Sequence, residues 1–355
     1  MFLQAFGAPT QLTTLADTHS QPASARGARA RSRRVLLLTD IGRDVDDTVA
    51  LLTLLGAAPD LVLTGIVTCG GCGAERVRLL RQWLKALGAP PTIAVADGGD
   101  TASAAAAHCH SPFAADAPGA GRGESAATLI RRCAQTYGSR LLIVAIGPLG
   151  PLAVALDDAY ALAACKRIGG LLIQGQAVPS ADAAARLAPS ADAFNLREDM
   201  EAAHVVFEAL QVHVPFTLLG KHAAYRNGLT CEDFRSWSAL LKSGAVDLFE
   251  MAKDQMNGFR TAAPEAFYKV YAVPPEERTD DRWFRALPND VICTPYDPLL
   301  VLCALRPELF EPVVRAGAGG KIGHSLIGNT AESHGVPDPA ATHAALCELA
   351  RRAFG

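Results

Sequence analysis

Two hydrophobic periods alternate along most of this chain. Apolar runs of four to nine residues predict buried strands at 35–38, 61–69, 92–96, 141–146, 168–174 and 214–219. Apolar residues three or four apart predict helices at 48–55, 74–87, 125–137, 151–165 and 199–210, the first closed by Gly56 as its C-cap. Such βα alternation implies an α/β fold: a mostly parallel, Rossmann-like open central sheet with helices on both faces. After Tyr225 the pattern changes. Residues 231–256 predict one or two helices, 262–290 an irregular cap holding Trp283, and 298–305 a buried helix. The terminal helix 339–354 takes Asp338 as N-cap and Pro339 at its first position. Residues 98–124, rich in Gly, Ala and Ser without a period, read as a loop.

Residues 1–34 break the pattern and predict a disordered N-terminal tail ahead of one domain over 35–355. Five arginines against one aspartate give the tail +4, leaving −7 for the rest of a chain whose net charge is −3. A transit peptide has a similar composition, so an organelle is the alternative to a cytoplasmic location. Half of the 355 residues are hydrophobic, yet no apolar run reaches the roughly 18 residues that a membrane span needs. The weak net charge argues against a nucleic-acid partner; a homo-oligomer stays open. Nine cysteines, an odd number with no secretory signal, imply reduced thiols. The lone Cys69-Gly-Gly-Cys72 lacks the second pair that a structural zinc site wants, and His108-Cys109-His110 reads as incidental.

Charge also concentrates locally. Asp40, Asp44, Asp46 and Asp47 fall within eight residues, directly after the strand at 35–38. Ligands in open α/β sheets bind at the carboxyl ends of strands, where this turn would lie. Four carboxylates there repel one another unless they are protonated or share a cation, and an all-oxygen set suits Ca²⁺, or Mg²⁺. One or two aspartates are explained by helix capping; four fit it poorly. A dehalogenase-type phosphatase wants D-x-D at a strand end, and Asp40-Ile41-Gly42 lacks the second Asp.

The stretch Asp40-x3-Asp44-x-Asp46-Asp47 resembles the D-x-D-P-G-x-D-D signature of the inosine-uridine nucleoside hydrolase family, with Asp46-Asp47 as the matching pair. Gly147-Pro148-Leu149-Gly150 is similar to its G-P-L-T turn, Gln174-Gly175 to its M-G-G turn, Ala193-Phe194-Asn195 to its E-F-N segment, and Tyr296-Asp297-Pro298-Leu299 to its H-D-P-L segment. Together with Lys221-His222-Ala223-Ala224-Tyr225, Asp281-Arg282-Trp283-Phe284 and Ile322-Gly323-His324, the set resembles the nucleoside-hydrolase-like domain of type III effectors from plant-pathogenic bacteria.

The resemblance implies hydrolysis of the N-glycosidic bond of a small-molecule riboside. Asp40, Asp47, Asp297 and the Gly150 carbonyl would hold Ca²⁺. A water deprotonated by Asp40 or Asp44 would attack the anomeric carbon. Asp46 would bind the ribose hydroxyls, and Tyr296 stands where the family has its leaving-group histidine. Cys72 and Asn195 fall at ribose-contacting positions. Lys221 would suit a phosphate, with Tyr225 and Trp283 beside a base or ribose. The family's ribose-binding Asn and Glu are here Cys72 and Ala193, so the second hypothesis is a ribosyl or ADP-ribose-binding protein with weak turnover.

Overall fold

The computed structural model describes residues 32–99, 109, 111, 124–180, 186–241, 246–262, 264–279, 282–316 and 322–355. Residues 1–31 of the expected tail, most of the 98–124 loop, His108, His110 and Asp281 lie outside them. From Ser32 onward the chain forms one compact unit. The expected boundary after residue 34 falls inside the first strand, β1 (Arg33–Thr39), because Arg33 and Arg34 already pair with neighbouring strands.

The first half runs β1, α1 (Asp46–Gly56), β2 (Leu61–Thr68), α2 (Gly73–Ala86), β3 (Ala94–Ala96), α3 (Ala126–Tyr137), β4 (Leu141–Ala145), α4 (Gly150–Leu156), α5 (Ala159–Cys165) and β5 (Gly170–Gln174). A small ribbon of β6 (Ala177–Pro179) and β7 (Leu187–Pro189) follows, then α6 (Phe194–Glu198), α7 (Met200–Leu210), β8 (Phe216–Leu219) and α8 (Lys221–Ala224). The rest comprises β9 (Leu229–Thr230), α9 (Cys231–Ser238), α10 (Leu248–Ala262), α11 (Pro264–Tyr271), β10 (Val291–Cys293), α12 (Tyr296–Leu305), β11 (Val313–Ala316), β12 (Gly323–Ile327) and α13 (Pro339–Arg352).

Eight strands form the central sheet in the order β11-β12-β8-β5-β4-β1-β2-β3, all parallel except the β11 edge. Alternate residues of β1 feed opposite layers. Val35 and Leu37 join a core with α1, α12 and α13, while Leu36 and Leu38 join one with α3, α4 and α7. The chain leaves β1 toward β2 on one side, and later continues from β4 toward β5 on the other. The β1/β4 boundary is therefore the topological switch point, where the loops at the carboxyl ends diverge and open a crevice.

Several expectations need correction. The helix predicted over 151–165 is two helices, because the Asp158 side chain accepts the Tyr160 and Ala161 N–H groups and caps a new one. The polar stretch after β5 contains the β6–β7 ribbon, the cap contains helix α11, and the β11–β12 pair had no counterpart in the pattern. Gly56 is not a left-handed cap. It lies in the last turn of α1, where a Cβ would sit 1.8 Å from the Leu349 carbonyl oxygen, so its absence lets α13 pack against α1. Trp283, expected at a ligand, is 4% exposed and packs among Phe267, Phe284 and Arg260, inside the cap.

Candidate active site

The acidic turn leaves β1 at the switch point. Thr39 ends the strand; its hydroxyl donates to Asp47 Oδ1 and accepts the Ile41 N–H at 3.2 Å. The ligand atoms of Asp44, Asp46 and Asp47 converge within 4.8 Å of one another. Asp40, Asp46 and Asp47 are buried and Asp44 is exposed. Asp297, more than two hundred residues on, is buried in the first turn of α12, which packs beside α1.

These carboxylates are not helix caps. The N-cap of α1 is Val45 and that of α12 is Pro295, and neither makes a side-chain capping bond. Elsewhere the chain uses ordinary caps: Ser125, Asp158, Asp199 and Asp338 each accept a first-turn N–H.

The electrostatics follow from the crowding. Burial, then the charge of Asp44, raises the Asp40 pKa to about 6, although Arg76 and Arg43 pull it back. Burial and the other carboxylates push Asp46 and Asp297 well above the usual range, every main cause acting in one direction. Asp47 is raised by burial, Asp40 and Asp44 against the Thr39 hydrogen bond. Each shift is the cost of placing negative charge beside negative charge in a dry site. A divalent cation removes that cost, and the all-oxygen group of Asp44, Asp46 and Asp47 suits one; Asp40 and Asp297 feel the charge of this group but do not belong to the set within 4.8 Å.

Three loops enclose the cluster. After β2, Cys72 adopts a left-handed backbone (φ 51°) as the N-cap residue of α2, a conformation that Asn tolerates better than most side chains. Arg76 in α2 is fully buried and donates to the carbonyls of Gly71 (2.8 Å), Ile41 (2.5 Å), Gly70 (3.3 Å) and Asp40. It thus ties the β1 and β2 loops together. After β4, a Cβ on Gly147 would stand 2.8 Å from Asp40 Oδ1 and 2.6 Å from Cys69 Sγ, so the approach of this loop requires glycine. Gly150 is buried as the first residue of α4. Its carbonyl is the acceptor for the N–H four residues on, which leaves its second lone pair for a ligand.

Asn195 bridges the next two strand ends, its Nδ2 donating to the Ile146 carbonyl and to Gln174 Oε1, both at 2.9 Å. Arg43 of the acidic turn lies 3.8 Å over the ring of Phe194, next to Asn195. Lys221, partly buried, begins α8 at the carboxyl end of β8, and the Tyr225 N–H bonds the Lys221 carbonyl one turn on. The Tyr225 ring, half exposed, meets that of Tyr296 edge-on at 6.1 Å. Burial and Tyr225 push the Tyr296 phenol above its ordinary pKa. Burial raises the pKa of Tyr271 in the cap, with the charges of Cys293, Asp46 and Asp44 adding to it. Thr39, Arg76, Gly147, Gln174 and Tyr271 were not predicted as site residues. Gly147 and Gln174 lay inside the motifs and Thr39 directly before the acidic turn, whereas Arg76 and Tyr271 carried no sequence signal.

The family profile of inosine-uridine preferring nucleoside hydrolase matches residues 35–347. This chain belongs to that family. Nucleoside hydrolases and their relatives are also its structural neighbours. Type III effector protein XopQ, solved with adenosine diphosphate ribose, superposes with a TM-score of 0.73 at 22% identity, covering 92% of this chain and 95% of that one. The purine-preferring ribonucleoside hydrolase from Gardnerella vaginalis gives 0.61 at 22% identity, over 91% and 99%. The inosine-uridine preferring nucleoside hydrolase from Bacillus anthracis gives 0.55 at 16% identity, over 90% and 99%. Among curated proteins, none matches by sequence. At these identities the superpositions establish a nucleoside-hydrolase fold, with its eight-stranded, mostly parallel sheet. Among the described residues, no helix is long and apolar enough to cross a membrane.

Proposed function

We propose that the chain is a divalent-cation-dependent N-ribosyl hydrolase. One observation carries this reading: the carboxylates of Asp44, Asp46 and Asp47 converge at the switch point, with buried Asp40 and Asp297 within reach of their charge, and α1 and α12 do not use these aspartates as caps. Ca²⁺ is the cation of choice for Asp40, Asp47, Asp297 and the Gly150 carbonyl, and when bound it supplies a Lewis acid beside the reacting centre. Asp46 accepts hydrogen bonds from the ribose hydroxyls. Asp40, with Asp44 at the solvent edge, takes the proton of the attacking water. The carboxylates favour the positive charge that develops on the ribosyl ring.

The leaving-group side is weak. Tyr296 is a poorer acid than free tyrosine, because burial and Tyr225 raise its pKa. General-acid help is typically worth about 10²–10⁴-fold, and plain nucleosides forgo it here. A riboside with a cationic leaving group, such as nicotinamide riboside, needs no such proton, and Lys221 suits a phosphate-bearing ligand.

The test incubates the full chain and Ca²⁺ with inosine, uridine, nicotinamide riboside and ADP-ribose, and assays free base and reducing sugar. Nicotinamide riboside or ADP-ribose is expected to be preferred, and Tyr296→His to raise turnover of inosine. Hydrolysis of inosine at kcat/KM of about 10⁴ M⁻¹s⁻¹ or more, with the other two untouched, would refute the preference. The ADP-ribose in the similar effector favours a second reading, a ribosyl-binding protein with little turnover. Tight ADP-ribose binding without hydrolysis of any of the four would select it.

A further inference from the structure

We propose that Asp233, His343 and Cys347 form a second metal site, for a zinc-class cation, that clamps the C-terminal helix α13 to α9. His343 and Cys347 lie four residues apart on α13, hence on one face. Asp233 reaches them from the first turn of α9. His343 Nε2 stands 3.0 Å from Asp233 Oδ2, Cys347 Sγ 3.2 Å from Asp233 Oδ1, and Sγ 3.7 Å from Nε2. Tetrahedral zinc with ordinary bond lengths separates its ligand atoms by about 3.4–3.6 Å. Asp233 meets the imidazole with one oxygen and the thiol with the other, and one ligand atom from each residue lies within 4.8 Å of the others, so a modest closing movement brings the three to that spacing.

The carboxylate is already oriented for this. Asp233 Oδ2 accepts the Thr230 N–H (2.8 Å) and hydroxyl (2.9 Å) in a capping box, which fixes the direction in which Oδ1 points. The His343 side chain is 34% exposed, so solvent reaches the edge of the cluster. A nucleophilic relay fits less well. Cys347 and Asp233 meet the same ring nitrogen, whereas a relay needs one partner on each. One oxygen, one nitrogen and one sulfur match zinc, unlike the all-oxygen set at the switch point. Burial and Asp233 raise the Cys347 thiol pKa, so the sulfur is protonated without a metal, and loading releases that proton to solvent.

Co²⁺ is the probe, added to the full chain with Ca²⁺ in excess to occupy the carboxylate cluster. Thiolate-to-cobalt charge-transfer absorption and strong tetrahedral visible bands are expected at one equivalent. Both should persist in Asp47→Asn and vanish in Cys347→Ser and His343→Ala. The latter alters a partly exposed side chain, and circular dichroism verifies that it folds. Zn²⁺ should raise the melting temperature of the native chain and leave that of His343→Ala unchanged. Weak six-coordinate Co²⁺ bands, or thiolate bands that survive both substitutions, would overturn the proposal.

Discussion

The proposed cation site predicts that, under chelation, stability falls as pH rises. The Asp40 pKa, 3.8 in an ordinary environment, stands at about 6 in the metal-free fold because of burial and Asp44. The folded chain thus holds this proton more tightly than the unfolded chain does. Its contribution is fullest below about 3.8 and is lost as pH climbs through about 6. Between pH 5 and pH 7.5 Asp40 alone removes on the order of 1 kcal/mol, since roughly one pH unit of that window lies below its folded pKa. Asp46, Asp47 and Asp297 shift in the same direction and add to the loss. Two histidines also have shifted pKa values. The Asp233 hydrogen bond raises the His343 pKa, and burial lowers that of His324. Neither belongs to the proposed cation site, so the difference between Ca²⁺-saturated and chelated protein cancels them. The assay is chemical denaturation at both pH values, with free Ca²⁺ buffered or removed. Stabilisation by Ca²⁺ should grow by at least about 1 kcal/mol from pH 5 to pH 7.5, worth about 1–2 °C in Tm for a domain of this size. Asp47→Asn should shrink both the stabilisation and its pH dependence. An identical Ca²⁺ effect at the two pH values would refute the reasoning.

Arg76→Met should cost about 3–5 kcal/mol, because it strips a buried cation from carbonyls of two site loops. A loss under about 1 kcal/mol in denaturant titration at saturating Ca²⁺ would show that the loops hold without it. Deleting residues 1–31, which leaves β1 whole, should leave Tm unchanged; a fall of several degrees would mean that the segment packs on the domain.

Much of the architecture was legible because hydrophobic runs end in residues with a local job. Ser125, Asp199 and Asp338 cap their helices by bonds reaching three residues on, and such signals survive in one dimension. The break before α5, the helix in the cap and the β11–β12 pair were not legible. These elements are short, and all four residues of β11 are exposed, so burial wrote no period into it. The aspartates of the acidic turn stood out by density alone, and family resemblance added Asp297.

What the chain determined by itself was therefore the alternation of strands and helices and the crowding of carboxylate at one strand end. Tertiary structure decided that this crowding is not spent on helix capping. Capping depends on backbone angles and the direction of N–H groups, and only these showed that Val45 and Pro295 hold the cap positions. Close approach depends on loops that meet in space. Gly147 against Asp40, and Arg76 against the carbonyls of Asp40 and Ile41, join residues tens of positions apart. The same physics moved Trp283 from the expected site into the cap core, because an aromatic ring gains more by burying both faces than by waiting at a surface.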